Sequence, residues 1–80
     1  MTTTPVTVEP RARPPLMLTI NGEARVVRAA TLAEALHALG YGSTKVATAV
    51  NGQFISAARR HTQLLAGGDA LEIVTAREGG

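Results

Sequence analysis

Asn-Gly occurs twice in this chain, at Asn21-Gly22 and Asn51-Gly52. Both residue types tolerate positive φ, which the tightest strand-to-strand turns demand, so each pair marks a hairpin. The flanking residues agree. Leu16, Leu18 and Ile20 alternate with Met17 and Thr19, the period of a strand with one buried face. Ala24 to Arg28 then returns as a second strand. Around the second pair, Val46 to Val50 reads as a short strand rich in Ala and Val, and Phe54-Ile55 as its return.

A helix separates the two hairpins. Thr31 with Glu34 three residues later forms a capping box, each side chain satisfying a free backbone amide. Leu32, Leu36 and Leu39 share one face at helical spacing, with Ala35 letting that face lie close to a sheet. Gly40 stands where a left-handed cap is expected. Ser56 to Gly68 is loop, with Ala57-Ala58-Arg59-Arg60 able to make one helical turn. A last strand runs from Ala70 to Ala76, where Leu71 and Ile73 alternate with Glu72 and Val74. Parallel pairing of the first and last strands at the sheet centre, with the helix across one face, gives an α+β fold, a β-grasp (ubiquitin-like) roll with a mixed sheet. That fold serves many unrelated activities, so function must come from particular residues.

Composition narrows the choice. Eighty residues make one small domain that needs nearly every large apolar side chain. With one Phe, one Tyr and no Trp, the core must be aliphatic. The absence of cysteine excludes a disulfide scaffold, a thiolate nucleophile and a cysteine-bound metal, and favours a reducing, cytoplasmic setting. From Leu16 onward six Lys/Arg face five Asp/Glu, without the clustered basic surface that nucleic acid requires. No apolar run is long enough to span a bilayer. Residues 1–15 hold all four prolines and read as a disordered tail, leaving 16–80 as the domain.

The histidines offer little chemistry on this reading. Glu34 lies one helical turn before His37, but a metal site needs a further ligand and none is evident. His37 and His61 read as surface residues, and no phosphate-binding glycine loop precedes a lysine. No catalytic constellation, metal or bound cofactor is expected on the chain itself.

The C-terminus differs. Gly79-Gly80 follow the last strand after a two-residue charged tether, Arg77-Glu78. Glycine lets a partner grip the backbone closely and leaves the terminal carbonyl carbon open to a nucleophile. These glycines, with Ala49-Val50-Asn51-Gly52, Gly68-Asp69-Ala70-Leu71-Glu72-Ile73-Val74 and the helix opening Thr31-Leu32-Ala33-Glu34-Ala35-Leu36, make Leu16 to Gly80 resemble the ThiS sulfur carriers. The departures are the N-terminal extension and Ser56-Ala57-Ala58, where many relatives have a proline or charge.

The resemblance implies a carrier that is not itself an enzyme. An adenylyltransferase (ThiF-like) would use ATP and magnesium to adenylate Gly80, with Gly79 threading its channel. A sulfur donor protein would convert the adenylate to a thiocarboxylate, and a thiazole synthase (ThiG-like) would take the sulfur for the thiazole ring of thiamine. The free carrier would be a monomer. The alternatives are a carrier like the small subunit of molybdopterin synthase, a ubiquitin-like modifier, or a plain β-grasp binding module. For the partner interface, Val74 and Ala76 should face outward if Leu71 and Ile73 face the helix, with Arg59 and Arg77 at the rim. Phe54 either joins that patch or fills the core.

Overall fold

The computed structural model describes residues 13–75. Strands β1 (Pro15–Ile20) and β2 (Glu23–Arg28) form the first hairpin, followed by helix α1 (Leu32–Ala38). Strands β3 (Val46–Val50) and β4 (Gln53–Ile55) form the second, and a 3-10 turn (Ala57–Arg59) and a loop lead to β5 (Ala70–Thr75). The five strands make one sheet in the order β2-β1-β5-β3-β4. β5 is central, parallel to β1 and antiparallel to β3. This is the mixed sheet of a β-grasp roll.

Both Asn-Gly pairs close two-residue hairpins, with Ile20 opposite Glu23 and Val50 opposite Gln53. Asn21 and Asn51 each have φ of 51°, a left-handed conformation that asparagine adopts more readily than most residues. The capping box forms as expected. Thr31 Oγ1 accepts from the Glu34 amide at 3.2 Å, and Glu34 Oε1 accepts from the Ala30 amide at 2.7 Å. At the other end Gly40, at φ 94°, lets the chain turn back on the helix. Its amide donates to His37 O and the Tyr41 amide to Leu36 O, a Schellman cap.

Among the described residues, twelve buried hydrophobic ones form the core, none of them aromatic. Leu18, Ile20, Leu71 and Ile73 come from the two central strands and meet Leu32, Ala35 and Leu36 of α1 within one cluster. One polar residue, Thr48, is buried with them, in the row Ile73–Thr48–Ile55. Its hydroxyl donates to Ile55 O at 2.9 Å and accepts from Arg60 Nε at 3.3 Å, which satisfies a group that would be costly to bury alone.

Two boundaries move. β1 begins at Pro15 rather than Leu16, because the first residue of a strand can be a proline without breaking the ladder. Arg13, assigned to the tail from sequence, pairs with the Glu34 carboxylate and its carbonyl accepts from Arg28 Nη1 at 3.1 Å. The tail reading for residues 1–12 falls outside the described residues.

Candidate functional site

β5 is the strand that leads into the C-terminal segment, and both asparagines of the hairpin turns hold it. Asn21 Oδ1 accepts from the Ile73 amide at 2.8 Å, and its Nδ2 donates to Ile73 O at 3.1 Å. One side chain thus extends the parallel ladder past the end of β1 by imitating a peptide group. Asn51 acts at the start of the strand. Its backbone amide donates to Ala70 O at 2.7 Å, its Oδ1 accepts from the Ala70 amide at 2.9 Å, and its Nδ2 donates to Asp69 Oδ1 at 3.0 Å. The two clamps fix both the register and the exit of β5. A tail leaving such a strand starts from a set position, which shortens the search a partner's active site must make.

The sheet face away from α1 is open. Alternation along β5 buries Leu71 and Ile73 and exposes Val74 at 64% of its surface. Val74 stands opposite Ala47, and Phe54 opposite Ala49 two residues on, so both lie on this face. Phe54 is 67% exposed, which removes it from the core. Met17 and Val26, a cross-strand pair on β1 and β2, extend the apolar surface across the other half of the sheet. Both are more than half exposed. The alternation of Met17 with Leu16 and Leu18 carried that signal in the sequence.

Arg59 is exposed on the 3-10 turn. That segment docks against α1, with the Ala33 amide donating to Arg60 O and the Leu32 amide to Gln63 O. Arg59 therefore does not sit on the strands of the open face. Ala76, Arg77, Gly79 and Gly80 lie outside the described residues.

At the helix start, the Ala30 amide, aided by the Arg13 guanidinium and the Thr31 cap, holds the Glu34 carboxyl below its ordinary value. Its two oxygens bond the Ala30 amide and the Arg13 guanidinium. Among the described residues no group of three or more His, Asp or Glu stands together as a metal site, and no helix is long and apolar enough to cross a membrane.

The model of the ThiS family matches residues 18–80, a span that includes both clamps, Phe54 and Val74 of the open face, and the terminal glycines. The chain belongs to the ThiS family. Among solved structures, the crystal structure of thiamine biosynthesis protein ThiS from Geobacter metallireducens is similar at 28% identity and a TM-score of 0.68. The similarity covers 81% of this chain and all of that one. No match was found among curated protein sequences. The family match begins at Leu18, inside β1, which starts at Pro15.

Proposed function

We propose that this chain is a sulfur carrier of thiamine biosynthesis, with the carboxylate of Gly80 as its working group. The observation that carries the reading is the family match through Gly80, on a fold whose clamped central strand leads into that segment. A carboxylate is a poor electrophile because it is anionic and resonance-stabilised. A ThiF-like adenylyltransferase overcomes this by joining AMP from ATP to the Gly80 carboxylate with loss of pyrophosphate, its magnesium screening the phosphates. The outer sulfur of a donor protein's persulfide then attacks the adenylate and expels AMP, giving an acyl disulfide, and a thiol, as the two-electron reductant, cleaves its S–S bond to leave the thiocarboxylate. A ThiG-like thiazole synthase consumes it for the thiazole ring.

In this scheme the chain contributes delivery and not catalysis. Gly79 threads the partner's channel, where a side chain would collide. The exposed face with Phe54 and Val74 supplies the docking surface, and Ala76 and Arg77, which follow β5 in the sequence, take part in the contact with the partner. An apolar patch of this kind suits a partner that binds, reacts and leaves.

The test alters only the end of the chain. Deleting Gly80, adding a residue after it, or making Gly79→Val should each leave stability within about 0.5 kcal/mol of wild type. Each should abolish adenylate formation with the cognate activating enzyme and ATP. Normal adenylation of the extended chain, with the extension verified as intact, would overturn the reading.

A further inference from the structure

Both histidines of the chain line one concavity that sulfur delivery leaves unused. It lies between α1, the loop after the helix and the 3-10 turn, with a volume of about 310 Å³. The Schellman cap builds one wall, because it folds Tyr41 and Gly42 back along the helix. His37 rests on that wall. A Cβ at Gly42 would come within 2.9 Å of His37 Nδ1, so the absence of a side chain there makes room for the ring. Across the opening stand Arg60 and His61, while Leu36, Ala33 and Ala57 contribute apolar surface.

The charges decide what fits. Arg60 donates from Nη2 to Val46 O at 2.6 Å and from Nε to Thr48 Oγ1 at 3.3 Å. Both acceptors are neutral. Among the described residues no carboxylate pairs with Arg60, and none lines the concavity. A guanidinium carries five N–H donors, so this one is held by two bonds and has donors to spare. A divalent metal is disfavoured at such a place. Arg60 repels it, and two imidazoles fall short of the three or four ligands that zinc takes from a protein. An anion meets the opposite situation, with a fixed cation and two imidazoles that can donate N–H bonds.

We propose that this concavity binds a phosphomonoester with a small organic body. The phosphoryl oxygens take Arg60, His37 and His61, and the organic part lies on Leu36, Ala33 and Ala57 beside the Tyr41 ring. The volume exceeds what a bare phosphate fills and is near the lower end for ligand pockets. The proposal involves no covalent step and does not depend on the carrier reading, since none of its residues belongs to the tail or the open face.

The experiment titrates phenyl phosphate and inorganic phosphate into the full-length chain at constant ionic strength, with chloride as the control. Binding is followed by amide and imidazole NMR shifts. Saturable shifts confined to residues 33–44 and 57–61 are expected. Phenyl phosphate should bind about tenfold more tightly than phosphate, the factor for burying one ring face. The double variant His37→Gln/His61→Gln should weaken binding at least tenfold without changing the melt, because both side chains are exposed. Gly42→Ala should also weaken it by displacing the His37 ring, since Gly42 is not among the residues with positive φ. Shifts that stay linear, that chloride reproduces, or that survive the double substitution would overturn the proposal. So would zinc saturating these residues more tightly than phenyl phosphate.

Discussion

Replacing Asn21 by alanine should destabilise the domain well beyond the usual cost of a change in an exposed turn. Two costs combine. The side chain makes two hydrogen bonds to Ile73, at 2.8 and 3.1 Å, and bonds of this kind contribute about 0.5–1.5 kcal/mol each. Asn21 also sits at φ 51°, a conformation that asparagine tolerates better than alanine although both carry a Cβ, a preference of up to about 1 kcal/mol. Together Asn21→Ala should lose about 1–4 kcal/mol, which for a domain of this size lowers Tm by at least about 4 °C. Asn21→Gly separates the two terms. It keeps the left-handed turn and loses only the bonds, so it should be about 1 kcal/mol less damaging. Thermal melts followed by circular dichroism give the energies. Amide exchange supplies the local check, because the Ile73 amide loses its acceptor in both variants and should exchange faster in each. If Asn21→Ala melts within about 2 °C of wild type, the clamp on β5 does not hold the strand. If alanine is tolerated as well as glycine, the left-handed turn is wrong.

Phe54→Ala should cost only about 1 kcal/mol of stability, since the ring is 67% exposed and a fully buried Phe would cost about 3–5 kcal/mol. Its affinity for the activating enzyme should fall about 5–30-fold by titration calorimetry, and an unchanged affinity would remove Phe54 from the interface. Glu34 gives a pH dependence of definite sign. Its carboxyl is held below the ordinary value in the folded chain, so its contribution is present above the unfolded pKa and is lost as pH falls through the folded one. Glu34→Gln should therefore flatten the decline in stability below about pH 5, and denaturant titrations with parallel acid limbs for variant and wild type would refute this.

The elements legible in the sequence were those specified by near neighbours. Asn-Gly between alternating strands, Thr31 with Glu34, and Gly40 after the last leucine each act within a few residues. The parallel pairing of β1 with β5 followed from the layer logic of one helix across one sheet. Long-range polar contacts were not legible. Asn21 announces a turn, yet nothing local says that its side chain will reach Ile73, 52 residues away. Thr48 looked like an ordinary strand residue until Ile55 and Arg60 gave its buried hydroxyl partners. His37 and His61 read separately as solvated side chains, and only the docking of the 3-10 turn on α1 brings them to one concavity. Phe54 was ambiguous because a chain short of aromatics could have placed its one Phe in the core. The register of β3 with β4 resolves that, putting Phe54 on the open face with Val74.

The central claim is that Gly80 carries sulfur, and the intact mass of the protein tests it most directly. The chain should be isolated from cells that hold its activating enzyme and sulfur donor, under conditions that spare a thiocarboxylate. A fraction of it should be heavier by one sulfur-for-oxygen exchange, with fragmentation assigning the change to Gly80. Deletion of the activating enzyme should remove that species. A single unmodified mass in cells where the activating enzyme and donor are present and active would contradict the account.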